Sequence, residues 1–254
     1  MTGVVYLVGA GPGAPDLLTV RAANVLARAD IVFHDALVHP GTVALAANAE
    51  TVPVGKRCGR HSTAQRFINK RLVDAAAKYA VVVRLKGGDP MLFGRAQEEI
   101  ATLEAAGVRY EVVSGVTAAS AAAATVATSL TQRGSVRSFA LATPRVGEGQ
   151  DASEWIAGFC HADAGAIYMG HREAGRIAAS LMAAGMKAST PVAIVVDASL
   201  PTAEMHYTTL ARLSAFAERD IAGAALLLVG PQFRPRATNA AGAHVDHRLR
   251  TART

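Results

Sequence analysis

The stretch from Val81 to Arg95, VVVRLKGGDPMLFGR, constrains the fold more than any other part of the chain. Its β-branched start reads as a buried strand. The strand stops abruptly at Gly87-Gly88-Asp89-Pro90, a glycine loop where backbone can approach a ligand closely. Asp89 restricts what that ligand is. Phosphate-cradling loops gather anions at helix N-termini and backbone N–H nests, and a central carboxylate opposes this. A ligand with hydroxyls, an amine or a positive charge suits the loop better.

Upstream, Val4 to Val8 reads as a strand and Gly9 to Ala14 as a tight loop. A helix is expected from Leu17 to Ala29, then a strand Ile31 to His34 closing on Asp35. The unit satisfies G-x-G-x-x-A with an acid after the second strand, which is the dinucleotide fingerprint and makes a nicotinamide-dependent oxidoreductase one alternative. Pro12 stiffens that loop, and Pro15-Asp16 postpones the helix, so its N-terminus is not presented to a pyrophosphate in the usual way.

Gly41 to Asn48 reads as a short helix and Thr51 to Val54 as a strand. The cationic loop Gly55 to His61 offers either an anion-facing surface or an ordinary exposed loop. Ser62 is expected to cap a helix to about Lys78, with Phe67, Ile68, Leu72 and Val73 inward. A helix over Gly94 to Ala106 and a strand Tyr110 to Val113 complete an alternating pattern. Such a pattern predicts a mostly parallel sheet that binds ligands at its strands' C-terminal ends, so both glycine loops face one side.

After Gly115 the pattern changes. An alanine-rich helix, Thr117 to Ala127, leads to strands at Phe139 to Ala142, Ala166 to Met169, Pro191 to Val196, His206 to Thr209 and Ala224 to Val229. Helices are expected at Ala152 to Cys160, Arg172 to Ala184 and Leu210 to Phe216. The third and fourth of these strands have no crossover helix between them, which predicts a partly antiparallel sheet. The expected fold class is therefore α/β, with two α/β domains at 1–115 and 116–230 and a basic flexible tail over 231–254.

With 254 residues, 51% of them hydrophobic, the chain can bury a substantial core. Cys58 and Cys160 lie far apart outside any C-x-x-C spacing, which argues against a disulfide scaffold, a zinc site or a redox motif and points to a reducing cytoplasm. The histidines show no metal spacing, so no metal is expected. The N-terminus lacks a signal peptide's basic region, and Val112 to Leu130 is too weakly apolar for a membrane span. From Pro231 onward, Arg234, Arg236, Arg248, Arg250 and Arg253 stand against Asp246, a net +4 of the total +6, which leaves +2 for the rest. A tail without interleaved aromatics reads as solvated, and no nucleic-acid partner is expected.

Four ordered segments carry a further signal: VGAGPGAPDLLTVRA, VGKRCGRHSTAQRFINKRLV, RLKGGDPMLFGR and YEVVSGVTAASAAAA. In this order they resemble the successive motifs of the tetrapyrrole methylases, over roughly Val4 to Val229. The GKR-x-G-x-HS-x-x-Q-x-x-IN and GGDP-x-x-FGR segments are most similar to the branch acting on uroporphyrinogen III. The resemblance implies a two-domain α/β enzyme, usually a homodimer, binding S-adenosyl-L-methionine in the inter-domain cleft and releasing S-adenosyl-L-homocysteine. Its tetrapyrrole substrate would be methylated at two pyrrole carbons, giving precorrin-2 by way of precorrin-1, in sirohaem or cobalamin biosynthesis.

By the same resemblance, cofactor contacts fall on Pro12, Gly87, Gly88, Asp89, Leu92, Thr117, Ala118, Met169, Ala193 and Ala225. Substrate-side and catalytic groups fall on Asp35, Arg95, Glu98 and Arg133, with Met169 between the two sets. Asp89 fits the cofactor chemically, because a carboxylate accepts from ribose or amine groups and suits a sulfonium cation. Arginines on loops, Arg57, Arg60, Arg95, Arg133 and Arg137, suit a substrate rich in carboxylates. Asp35 and Glu98 are the candidate bases.

The chain departs from the family pattern at FGRAQEE, SLTQR and ATPRVGEG, where FGRGGEE, PLTHR and a TGH-type segment are usual. These departures keep a methylase of a later precorrin as an alternative. A non-catalytic binding module with a basic tail ranks last. Because the chain opens almost on its first strand, no dehydrogenase domain of the fused sirohaem synthase type is expected ahead of it.

Overall fold

The computed structural model describes residues 3–55, 65–146, 154–219, 221 and 223–235. The first half alternates strand and helix: β1 (Val4–Gly9), α1 (Val20–Leu26), β2 (Ile31–His34), α2 (Pro40–Val43), β3 (Glu50–Pro53), α3 (Gln65–Ala76), β4 (Val81–Lys86), α4 (Ala96–Ala105) and β5 (Arg109–Val113). The strands form one parallel sheet in the order β3-β2-β4-β1-β5. Buried Val5, Leu7 and Val82 point to α3 and α4, and Val8, Val83 and Leu85 point to α1. Both faces are covered, which is why these strands read as near-continuous apolar runs.

The second half contributes α5 (Ala118–Thr125), β6 (Phe139–Ala142), α6 (Trp155–His161), β7 (Ala164–Tyr168), α7 (Ala174–Ala183), β8 (Pro191–Val196), β9 (Glu204–Thr209), α8 (Ser214–Ala217) and β10 (Ala225–Val229). Its sheet runs β6-β7-β10-β8-β9, with β6 parallel to β7 and the other pairs antiparallel. The expected antiparallel β8–β9 connection is present. On one face of this sheet the small side chains of α5, Ala119, Ala121 and Ala122, pack closely against Ala193, Leu226 and Leu228. The other face carries α6, α7 and α8.

Several expectations need correction. The first helix does not start at Leu17. A single 3-10 turn, Pro15–Leu17, comes first, Leu18 is extended, and Thr19 caps α1 by accepting from the Ala22 N–H at 3.2 Å. The helix expected from Gly41 is one turn, α2. Phe67 is not inward: it is exposed beneath the Arg66 guanidinium, and Asn69 takes a buried position beside Ile68 and Leu72. The tail starts later than Pro231, because Phe233 is buried against the α5 face and Gln232 Nε2 donates to the Leu130 carbonyl at 3.2 Å. Ser62, the cationic loop from Lys56 to His61, the start of the Ala152 helix and the arginines from Arg236 lie outside the described residues.

One polar cluster sits inside the first half. Arg84 and Lys86 share a face of β4 and are almost wholly buried, as is Glu99 of α4. Glu99 Oε1 accepts from Arg84 Nε at 3.0 Å and Gln65 Nε2 at 3.1 Å, while its Oε2 accepts from Lys86 Nζ at 2.9 Å. Arg84 Nη2 reaches Asp35 Oδ1 at 2.5 Å. Two cations and two carboxylates therefore balance. Burial, with the like charge of Arg84, holds the Lys86 ammonium below its usual range, against the pull of Glu99.

Removing one partner from such a cluster leaves buried charge uncompensated, which typically costs about 3–5 kcal/mol, against less than about 1 kcal/mol for an exposed pair. Glu99→Ala is therefore expected to lose about 3–5 kcal/mol in urea unfolding. Asp74→Ala, which breaks the exposed Lys70–Asp74 pair, should lose less than about 1 kcal/mol.

Candidate functional site

Three loops leave the C-terminal ends of β1, β4 and β5 side by side. The register pairs Gly9 with Lys86 and Val8 with Val113, so the loops start at one level. Their backbones touch. Gly88 N–H donates to the Gly11 carbonyl at 2.7 Å, Gly11 N–H returns to Gly88 O at 3.2 Å, and Ala10 N–H donates to Lys86 O at 2.7 Å. A Cβ on Gly9 would come within 2.6 Å of Gly115 Cα, and one on Gly115 would run into the Gly88 carbonyl oxygen. Gly9 and Gly115 are thus glycines for packing.

Gly87 and Gly88 differ. Around Gly88 nothing lies within 4 Å of where a Cβ would point, and at Gly87 only Leu37 Cβ lies near, at an unstrained 3.7 Å. Gly88 has φ of 68°, which favours glycine by itself. Gly87 is exposed and lacks even that reason. Its bare backbone edge is open to a ligand, as a cofactor cradle requires.

Asp89 does not stand free in this loop. Its Oδ1 accepts from the Met91 N–H at 2.8 Å, and its Oδ2 accepts from the Gly115 N–H at 2.9 Å. The carboxylate fastens the β4 loop to the β5 loop, and only the remaining lone pairs are left for a ligand. To the ligand role expected of Asp89 the fold thus adds a structural one.

The second half meets these loops at two places. Tyr168, at the end of β7, shares a 2.7 Å hydrogen bond with Thr117 Oγ1, and its oxygen accepts the Ala119 N–H at 3.1 Å. Burial raises the Tyr168 phenol above its usual range. Its ring lies 5.1 Å from that of Phe93, in the loop following Asp89. Beside it, Met169 is exposed with φ of 56°. At the second place, Ser199 Oγ accepts the Ala14 N–H at 3.0 Å. No local signal in the sequence marks Tyr168 or Ser199 for these contacts.

Of the residues singled out from sequence, Pro12, Gly87, Gly88, Asp89, Leu92, Thr117 and Ala118 lie on these loops or at the start of α5, and Met169 follows β7. Ala225 opens β10 paired with Val196, one residue before the Leu226 that pairs with Tyr168. Ala193 is enclosed in the core beneath α5. Asp35 follows β2, held by Arg84. Arg95 caps α4 in a left-handed conformation, φ 56°, and pairs with Glu98 through two 2.7 Å hydrogen bonds. That pairing lowers the Glu98 carboxyl below its usual range. Arg133 is exposed in a separate turn closed by Gln132 and Val136. No described contact joins it to the loops. A groove of about 350 Å³ opens beside Phe93, walled by Leu141, Thr143, Trp155 and Phe159.

The geometry does not favour a dinucleotide at the first loop. The 3-10 turn and extended Leu18 separate Gly13 from the N-terminus of α1, so the helix's free N–H groups are not at the loop. Among the described residues, no cluster of His, Cys, Asp or Glu has the makings of a metal site, and no helix is long and apolar enough to cross a membrane.

Comparison with known proteins agrees with this architecture. Residues 4–214 match the family model described as tetrapyrrole (corrin/porphyrin) methylases. A siroheme synthase of Azotobacter vinelandii is 42% identical over 236 residues, 92% of this chain and 51% of that protein. A siroheme synthase of Nitrosococcus oceani is 46% identical over 169 residues, 66% of this chain and 36% of its own length. The chain thus spans about half or less of these curated relatives.

Among solved structures, the uroporphyrin-III C-methyl transferase of Thermus thermophilus complexed with S-adenyl homocysteine superposes with a TM-score of 0.79 at 36% identity, over 90% of this chain and 98% of that one. A cobalt precorrin-4 methyltransferase also reaches 0.79, at 28% identity, over 91% and 96% of the two chains. With its ordered motifs, its two sheets and its glycine loops facing one cleft, the chain belongs to the tetrapyrrole methylase family.

Proposed function

We propose that the chain transfers methyl groups from S-adenosyl-L-methionine to two pyrrole carbons of uroporphyrinogen III, forming precorrin-2 by way of precorrin-1. The observation that carries this reading is the side of Gly87 and Gly88 left open where a Cβ would stand, at the meeting of three strand ends. S-adenosyl-L-methionine supplies a methyl already activated on a sulfonium sulfur. Pro12, Gly87, Gly88, Asp89, Leu92, Thr117, Ala118, Met169 and Ala225 would hold it, whereas Ala193, buried beneath α5, would support the site only from behind. The carboxylate of Asp89 favours the positive sulfonium by charge while it fixes the loops.

The chain's main contribution is position. Holding two reactants at near-attack geometry supplies up to about 7–11 kcal/mol of rate acceleration. The apolar walls of the groove beside Phe93 suit the flat pyrrole rings of a tetrapyrrole, and Ala142 and Thr143, which open the departing segment, line that groove. Arg95 and Arg133 meet substrate carboxylates. Because Arg95 lowers Glu98, the latter serves better to orient Arg95 than to take a proton. Asp35, fixed by Arg84, remains the candidate base.

A domain division near residue 115, with the second domain carried on to Phe233, a homodimer and a cytoplasmic setting belong to the same reading. A methylase of a later precorrin is the second reading. It is favoured by the equal TM-score of the cobalt precorrin-4 enzyme and disfavoured by that enzyme's lower identity.

Two outcomes test the proposal. Purified protein with uroporphyrinogen III and S-adenosyl-L-methionine is expected to yield a dimethylated product, seen by mass and by fluorescence after oxidation. Turnover of a later precorrin instead would select the second reading. Gly87→Ala is expected to change stability by less than about 0.5 kcal/mol while weakening cofactor binding about tenfold or more, as read by calorimetric titration.

A further inference from the structure

The backbone strain of the molecule is concentrated around the cleft. Among the described residues, the non-glycine positions with left-handed φ are Phe93, Arg95, Ala127, Met169, Asp197 and Ser199. Ala127 lies just beyond α5. Phe93, Arg95 and Met169 belong to the site already described. Asp197 and Ser199, at φ of 49° and 76°, lie outside the three loops, and Ser199 meets the first of them. They sit in the tight connection from β8 to β9, where Leu200 N–H donates to Asp197 O and Asp197 Oδ1 accepts the Ala224 N–H, both at 3.0 Å. Strain at a non-glycine residue persists where the surroundings over-determine it, and it collects at functional sites.

What over-determines Ser199 is the first glycine loop. Its Oγ accepts the Ala14 N–H across 185 positions of sequence, and the Leu200 side chain stands 3.1 Å from where a Cβ on Gly13 would be. Gly13 therefore lets Leu200 seat against the loop backbone, and Ser199 pins the next residue. We infer that Ser199 is a positioning residue for methyl transfer. Through Ala14 it holds the Gly11–Ala14 loop, and with it Pro12, against the second half of the chain, so that the cofactor-facing wall is set before ligand arrives.

The inference rests on the proposed cofactor site and deepens it. Preorganisation of this kind appears as affinity, because a loop already in place loses less freedom when it binds.

The test uses two substitutions that remove the same hydrogen bond from opposite ends. Ser199→Gly deletes the hydroxyl and accepts φ of 76° without strain, so the unliganded melting temperature should hold. Ala14→Pro deletes the N–H at a residue whose φ of −62° and ψ of 127° suit proline ahead of Pro15. Calorimetric titration with S-adenosyl-L-homocysteine is expected to show Kd raised about three- to tenfold by Ser199→Gly, the fold-change corresponding to one ordinary hydrogen bond. In the Ser199→Gly background, Ala14→Pro should raise it no further.

Wild-type affinity in Ser199→Gly, or fully additive effects in the double variant, would overturn the positioning role. Failure of the wild-type chain to bind S-adenosyl-L-homocysteine would instead overturn the cofactor site itself.

Discussion

The close approach of three backbones at Gly9, Gly88 and Gly115 is the constraint on which the site depends. Adjacent parallel strands place their C-terminal ends side by side, but side chains at those ends would hold the loops apart. Glycine at Gly9 and Gly115 removes that obstacle, since a Cβ on either would strike neighbouring backbone. Hydrogen bonds between Gly11 and Gly88, and from Gly115 to Asp89, then join the three loops into one wall. Each element beyond them, from the Asp89–Arg95 turn to α5, starts from that fixed junction.

The junction is supported from below by charge and from across by aromatic contact. Arg84 and Lys86 are charged residues in a strand covered on both faces, tolerable only because Glu99 and Asp35 neutralise them. That cluster holds β2, β4 and α4 in register directly under the loops, with Asp35 at the surface of the arrangement. From the other half, Tyr168 binds the N-terminus of α5 and meets Phe93, and Ser199 binds the first loop. The cleft is therefore bounded by contacts from both sheets, which suits a reaction whose chief demand is orientation.

Much of this was legible in the chain. The β-branched runs ending in glycine marked the parallel strands and the side on which ligand binds, and the missing crossover between β8 and β9 marked the antiparallel portion. What was not legible depended on long-range partners. Nothing in the strand itself shows what neutralises Arg84 and Lys86, because Glu99 stands on a later helix. Asp89 read as a ligand group because the Gly115 N–H that claims one of its oxygens lies 26 positions away. Phe67 read as core because helical periodicity cannot tell which of two adjacent apolar residues the sheet will cover, and Phe233 read as tail because the arginines around it dominate composition.

The central claim of the proposal is that cofactor lies against the open side of Gly87 and Gly88, where no side chain stands, and reaches Met169. A crystal structure of the chain with S-adenosyl-L-homocysteine tests it most directly. The expected result is ligand density against Gly87 and Gly88 and within contact of Pro12, Thr117 and Met169, with the Asp89–Gly115 hydrogen bond kept. Density elsewhere, or along the first loop alone with Gly87 still facing solvent, would contradict the account.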